Sequence, residues 1–88
     1  MKMFKKIESA YAIINKNGLY QQVDLYTYNE RIFVRYGDDF ARIVKAFAER
    51  MELSLSGYVV DELVLPEGYP VKFNNLGYLV TPDYVEAN

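Results

Sequence analysis

Hydrophobic and polar residues alternate between residues 20 and 36 in a pattern that fits one β-hairpin. With Asn29 and Glu30 as a two-residue turn, aliphatic side chains fall on one face, and aromatic and charged side chains fall on the other. The predicted cross-strand pairs are Val23 with Tyr36, Leu25 with Val34, Thr27 with Ile32, Asp24 with Arg35, Tyr26 with Phe33 and Tyr28 with Arg31. A shift of one residue would mix the two sets, so the pattern predicts this register.

A second turn signal precedes this hairpin. Asn17-Gly18 favours a tight hairpin turn, which would pair Ile14 with Gln21, Ala12 with Val23 and Ala10 with Leu25. These pairs extend the aliphatic face. Residues 9 to 36 therefore predict a three-stranded antiparallel meander.

Between Gly37 and Glu52 the apolar period changes from two to about 3.6. The apolar positions are Phe40, Ile43, Val44, Phe47 and Met51. They predict an amphipathic helix that begins near Asp38 as a helix cap. An alternative interpretation makes residues 37 to 39 a hairpin turn and residues 40 to 45 a fourth strand. The alanines at positions 41, 46 and 48 favour the helix.

The C-terminal third is rich in β-forming residues. Residues 58 to 65 read as β-structure, and residues 71 to 73 and 78 to 80 predict a second hairpin around residues 74 to 77. Residues 81 to 83 predict either a final helical turn or the start of a loose tail. The expected fold class is α+β, with a three-stranded antiparallel meander, one amphipathic helix and a C-terminal β-hairpin. Residues 1–88 would form a single domain.

Composition narrows the possible chemistry. The chain has neither cysteine nor histidine, which removes thiolate nucleophiles and the usual transition-metal ligands. We expect no metal, no other cofactor and no enzymatic activity. The apolar run after the first lysines is broken by Glu8 and Ser9, and no stretch is long enough to span a membrane. A cytoplasmic location is expected, in the host cell if the protein is phage-encoded.

Charge is unevenly distributed. Residues 1 to 50 contain nine Lys or Arg against six Asp or Glu, whereas residues 51 to 88 contain one against six. Asp61, Glu62 and Glu67 predict an acidic patch that could meet a basic partner. The adjacent Asp38 and Asp39 are expected to cap the helix rather than to bind a metal or to act in catalysis. Ser9, Ser54 and Ser56 lack a histidine base.

The outer face of the meander is the main candidate site. It contains Tyr11, Tyr20, Asp24, Tyr26, Tyr28, Arg31, Phe33 and Arg35. Rings and guanidinium groups in this arrangement are typical of protein interfaces, and they also suit stacking on the bases of single-stranded nucleic acid. Asp24 disfavours phosphate binding and would partly neutralise Arg35. Alternatively, the C-terminal hairpin covers this face and makes its rings a second core layer.

As a type, the chain resembles the small phage and mobile-element proteins that inhibit host defence, including anti-CRISPR proteins. The stretch NGLYQQVDLYTYNERIFVRYGDD is similar to the short meanders of such proteins. The resemblance implies that the chain binds to a larger protein complex. This binding would block either the access of nucleic acid to the complex or the assembly of the complex. The net charge of −2 departs from the strongly acidic DNA mimics among these inhibitors.

Three functional hypotheses follow. The first is a non-enzymatic protein-binding module that uses the exposed tyrosines, with the acidic half steering a basic target. The second is a small single-strand RNA- or DNA-binding protein that uses the same face. The third is a dimeric structural accessory protein, in which an unpaired strand edge near Ala10 pairs with its twin.

Overall fold

The computed structural model describes residues 3–54 and 57–85, which form an antiparallel β-barrel. Its strands are β1 (Lys5–Lys16), β2 (Leu19–Tyr28), β3 (Arg31–Tyr36), β4 (Asp39–Lys45), β5 (Met51–Leu53), β6 (Val59–Val64), β7 (Lys72–Phe73) and β8 (Leu79–Val80). Each of the first five strands pairs with the next, and β6 pairs with β1, which closes a six-stranded ring. The described residues contain one short 3-10 turn, Phe47–Glu49, and no α-helix. The predicted α+β class is therefore wrong.

The two N-terminal hairpins form as the alternation predicts. Asn17 and Gly18, and likewise Asn29 and Glu30, have positive φ, as tight hairpin turns of this twist require. The pairs Leu25–Val34, Tyr26–Phe33, Thr27–Ile32 and Tyr28–Arg31 are confirmed, as are Ala12–Val23 and Ile14–Gln21. The β2–β3 ladder ends at Leu25–Val34, so the predicted pairs of Asp24 with Arg35 and Val23 with Tyr36 lie beyond it.

The predicted helix after Gly37 is instead a turn and the strand β4. Tyr36 pairs with Asp39 across the turn, and Ala41 pairs with Val34. Ala41 and Ile43 point into the barrel, whereas Phe40 and Val44 point outward. Apolar residues on both faces of one strand produce the helix-like spacing, and Phe47, which would continue it, is 95% exposed. The alternative interpretation, a hairpin turn followed by a fourth strand, is correct.

Inward side chains fill the barrel. The buried core consists of Ile7, Ala10, Ala12, Ile14, Val23, Leu25, Ile32, Val34, Ala41, Ile43, Leu53, Val60 and Leu79. Each of its large aliphatic side chains contributes about 1.5–3 kcal/mol by burial. The three alanines occupy little volume, which suits the narrow interior of a small barrel.

A bulge in β1 replaces the predicted pair of Ala10 with Leu25. Lys6 pairs with Tyr26 and Tyr11 with Asp24, so residues 7 to 10 lie opposite Leu25 alone. Ser9 has a φ of 61°, and the bulge lets both Ile7 and Ala10 point inward. Residues 11 to 15 of β1 pair with β2 on one side and with β6 on the other. The free strand edge that the dimer hypothesis needs after Ala10 is therefore closed.

The predicted C-terminal hairpin is confirmed as β7 and β8, and it is inserted where β3 and β4 diverge. Val80 pairs with Arg31 on one side, and Tyr78 bridges to Val44 on the other. The amide of Lys45 donates to the carbonyl of Gly77 at 2.7 Å. After β8 the chain makes one turn in which the Tyr84 amide donates to the Thr81 carbonyl at 3.1 Å. None of the described segments is a helix with the length and hydropathy that a membrane crossing needs.

Candidate functional site: an aromatic and basic face outside the barrel

The outward side chains of β2, β3 and β4 form a continuous aromatic surface. Strand alternation places Tyr26 and Tyr28 on β2, Phe33 on β3 and Phe40 on β4 outside the barrel. All four rings are half-buried. With Phe4 they make a set of five contacting rings, which we call the aromatic face.

Phe4 lies across the centre of this aromatic face. Its ring is stacked on Phe40, with a centroid distance of 3.8 Å and an interplanar angle of 4°. It makes a T-shaped contact with Phe33 at 5.0 Å and a tilted contact with Tyr28 at 5.2 Å. Among the described residues, the ring contacts made to this face from outside its strands therefore come from the segment before β1 and not from the C-terminal hairpin.

Three arginines border the aromatic face, and each lies over a ring. Arg31 is 4.9 Å from the ring centre of Tyr84, and Arg35 is 5.8 Å from that of Phe40. Arg42 is 4.3 Å from the ring centre of Tyr78 and 5.7 Å from that of Phe33. Within the described ranges the ion pairs are Lys6–Asp24, Lys45–Glu49 and Arg50–Glu52, so none of these three arginines is paired with a carboxylate there.

Arg42 has the least usual environment of the three. Its Nε and Nη2 atoms are enclosed and have no hydrogen-bond acceptor within the described part of the chain. Burial of the guanidinium group, followed by the nearby positive charge of Arg31, lowers the pKa of Arg42. A charged donor edge that is shielded from water and unsatisfied is costly.

Asp24 does not act as predicted. Its Oδ2 atom is 3.6 Å from Nζ of Lys6, and both side chains are about half exposed. Arg35 instead donates from Nε to the carbonyl of Gly37 at 3.3 Å. The predicted Asp24–Arg35 pair is wrong because the two strands no longer face each other at that level. Arg35 is therefore not paired with a carboxylate among the described residues.

The structure brings together only some of the predicted site residues. Tyr26, Tyr28, Arg31, Phe33 and Arg35 lie on or beside the aromatic face. Tyr11 and Tyr20 do not join it, because Tyr11 pairs with Asp24 and Val64, and Tyr20 pairs with Asn15 near the first turn.

Sequence reasoning missed Phe4, Phe40, Arg42, Tyr78 and Tyr84 as members of this surface. Phe40 and Arg42 alternate with the inward Ala41 and Ile43, so the strand interpretation of this segment would have found them. Phe4, Tyr78 and Tyr84 come from distant segments, and no local pattern indicates their position.

The predicted acidic patch lies away from the aromatic face. Asp61 and Glu62 are exposed at a bulge in β6, where Ile13 pairs with Glu62 and Ile14 with Val60. In the six-stranded ring β6 is three strands from β3 in either direction, so it lies on the opposite side of the barrel. Glu67 belongs to the turn after β6. The barrel thus has a basic aromatic side and an acidic side.

The remaining acidic residues and serines that the sequence suggested as functional candidates lie in turns, strands and a bulge of the fold, except Ser56. Asp38 lies in the turn before β4 and Asp39 begins that strand, so neither caps a helix. Ser54 accepts a hydrogen bond at Oγ from the Arg42 amide at 3.1 Å. Ser9 occupies the bulge of β1, and Ser56 lies outside the described residues. Across residues 3–54 and 57–85, no three acidic side chains converge in a way that could hold a metal ion.

An open cleft of about 440 Å³ lies at the end of the barrel beside the aromatic face. Lys5, Tyr28, Tyr69 and Thr81 contribute to its wall. Burial raises the pKa of the Tyr69 hydroxyl above its ordinary value. Oγ1 of Thr81 is enclosed without a hydrogen-bond partner among the described residues.

Comparison with known proteins gave no match to a protein-family model, to a curated protein or to a solved structure.

Proposed function

We propose that this chain is a non-enzymatic protein-binding module whose contact surface is the aromatic face. The observation that supports this most is the set of five half-exposed, mutually packed rings bordered by three arginines without carboxylate partners in the described ranges. Tyrosine, phenylalanine and arginine are enriched in interfaces, and the first and last of these are the usual anchors. Steric blocking of a host defence complex such as CRISPR–Cas, which the resemblance implies, is one form of this function.

Packing between the rings favours a protein partner. A platform for single-stranded bases needs free ring faces. Here Phe4 occupies one face of Phe40, and Phe4 and Phe33 are in T-shaped contact, which occupies a face of one of these two rings. Rings held in this way lose little side-chain entropy on binding, which suits preorganised protein anchors.

Electrostatics favour an acidic partner surface rather than the basic one expected from the sequence. The acidic residues of β6 lie across a molecule whose smallest extent is 28 Å. Charges are screened over about 8 Å at physiological ionic strength. The acidic side therefore contributes little to steering at the aromatic face, where Arg31, Arg35 and Arg42 act instead.

Capture followed by mutation tests this function. The tagged protein is used to isolate its partner from the native host, with and without nuclease, and the affinity of the purified pair is then measured. Tyr26→Ala and Tyr28→Ala should each weaken binding by at least about 1 kcal/mol, or roughly fivefold.

Tyr20→Ala is the matched control, because Tyr20 is 66% exposed and lies outside the aromatic face. Its affinity should equal that of the original chain. If Tyr26→Ala and Tyr28→Ala remain folded and bind with unchanged affinity, the proposed surface is wrong.

Single-strand nucleic acid binding is the second candidate, and the pairing of Asp24 favours it. Lys6 offsets the charge of the acid that would otherwise repel phosphate, and the three arginines have no carboxylate partner in the described ranges. This function predicts that affinity for an oligonucleotide falls steeply with salt and is lost in Arg31→Ala. If no oligonucleotide binds at low salt, this candidate is eliminated.

A further inference from the structure

Arg31 lies two residues before Phe33, the cross-strand partner of Arg42, so the two arginines are diagonal neighbours on the outer face, at the point where β3 and β4 diverge around the C-terminal hairpin. We infer that these two side chains bind a carboxylate of the partner, supplied by an aspartate or glutamate in an acidic segment. This inference rests on the proposed function, because it specifies the chemistry of the partner at the same surface.

The donor geometry of Arg42 carries the inference. Nε and Nη2 lie on one edge of the planar guanidinium group and can donate in parallel to the two oxygens of a carboxylate. Both atoms are enclosed and lack an acceptor among the described residues. An incoming carboxylate would satisfy two charged donors at once, and it would do so beside the rings of Phe33 and Tyr78, which exclude water. Both atoms are shielded from water in the unbound chain, but Arg42 as a whole is half-buried, so a change of its rotamer on binding brings the two donors to the partner.

Arg31 supplies the second positive charge. Its Nη1 atom donates to the carbonyl of Asn29 at 3.2 Å, and its guanidinium group lies over Tyr84. The side chain is thus held near Arg42, where the like charges repel and help to lower the pKa of Arg42. A carboxylate bound between them removes this repulsion, so the charge of the pair favours one negative group.

Arg50 has the same donor edge, but there both donors have a hydrogen-bond acceptor. Its Nε and Nη2 atoms both donate to Oε2 of Glu52, at 3.0 and 2.7 Å. At Arg50 a carboxylate of the chain itself thus supplies the acceptor that the donor edge of Arg42 lacks. Arg50 is therefore the matched control for a test of Arg42.

Nuclear magnetic resonance of the ¹⁵N-labelled chain tests the inference through the arginine Nε–Hε signals. The probes are a hexaglutamate peptide, inorganic phosphate and hexathymidylate, each titrated at low salt. Hexaglutamate should shift the Arg42 signal saturably. Arg42→Lys keeps the charge but loses the parallel donors, so binding should weaken at least about tenfold. Arg50→Lys should bind like the original chain.

The Arg42 signal is itself lost in Arg42→Lys, so binding to that variant is followed at the Arg31 signal and at the amides of β3. Arg31→Lys, read at the Arg42 signal, provides a second variant if Arg42→Lys fails to fold. Three results would overturn the inference. These are no shift of the Arg42 signal, equal affinity in the lysine variants, or tighter binding of phosphate or hexathymidylate than of hexaglutamate.

Failure of this inference can be told from failure of the proposed function. If hexaglutamate does not bind but Tyr26→Ala still weakens capture of the protein partner, only the carboxylate site is wrong. If Tyr26→Ala, Tyr28→Ala and Arg42→Lys all leave capture unchanged, the protein-binding surface itself is wrong.

Discussion

The ring of Phe4 lies parallel to that of Phe40, 3.8 Å away. Phe4 precedes β1, whereas Phe40 is on β4, so the contact spans the outside of the intervening strands β2 and β3. The N-terminal segment is thereby fixed to the surface of the barrel. The same contact also fixes the arrangement of the rings in the aromatic face. Phe4 is therefore expected to contribute both to the stability of the fold and to the proposed binding surface.

Phe4→Ala should lower the free energy of unfolding by about 1–3 kcal/mol, because it removes a half-buried ring and its contacts with Phe40, Phe33 and Tyr28. Chemical denaturation measures the loss. Phe47→Ala is the control, since Phe47 is 95% exposed and its loss should change the stability by less than about 0.5 kcal/mol. Equal effects of the two substitutions would show that Phe4 does not pack on the barrel.

The parts of the fold that follow from local rules could be predicted from the sequence. The register of β2 and β3 depends on a two-residue turn and on an alternation that tolerates no shift, and both features lie within residues 23 to 36. The C-terminal hairpin likewise has its turn residues between its strands. Closure of the barrel between β1 and β6 joins distant segments, and no local pattern specifies it.

The sequence of β4 predicts a helix because this strand contributes an apolar residue to the outer aromatic face. A strand with a solvated outer face shows a clear alternation, but Phe40 and Val44 are apolar and point outward. Together with the inward Ile43 they imitate the face of a helix. The outward apolar residues of β4 therefore hide the alternation that would indicate a strand. The alanines of this region also favour the helix interpretation, which is wrong.

Ala41→Leu tests the strand directly. Ala41 is 1% exposed inside the filled barrel, so the larger side chain should lower the free energy of unfolding by about 1–3 kcal/mol. Val44→Leu, on the outer face of the same strand, should have a smaller effect. Thermal or denaturant unfolding gives both values. In the helix interpretation Ala41 lies off the apolar face, so an unchanged stability of Ala41→Leu would contradict the barrel.

Gly77→Ala should weaken the docking of the C-terminal hairpin. Gly77 has a φ of +86°, and an added Cβ would lie 3.1 Å from the carbonyl oxygen of Lys45. The same two residues are joined by the hydrogen bond from the Lys45 amide to the Gly77 carbonyl. Gly18→Ala is the matched control, because Gly18 has a similar φ of +82° but open space around the added atom.

Both glycine substitutions carry the conformational cost of a side chain at positive φ, roughly 1–2 kcal/mol. The loss of stability should be larger for Gly77→Ala, and only this variant should speed hydrogen exchange at the Lys45 amide relative to the barrel core. If Gly18→Ala is equally or more damaging, the close approach of Gly77 to Lys45 does not hold the hairpin.

Tyr69 should make the protein less stable at alkaline pH. Burial raises the pKa of its hydroxyl group above the ordinary value of about 10, so the folded chain retains this proton at a pH where the unfolded chain has lost it. The contribution is fully present below pH 10 and decreases as the pH rises toward the folded pKa. Denaturant unfolding at pH 8 and at several values above pH 10 should therefore show a smaller decline for Tyr69→Phe than for the original chain. Tyr20→Phe, at an exposed position, should decline as the original chain does, and a Tyr69→Phe curve parallel to both would show that the hydroxyl of Tyr69 is not buried.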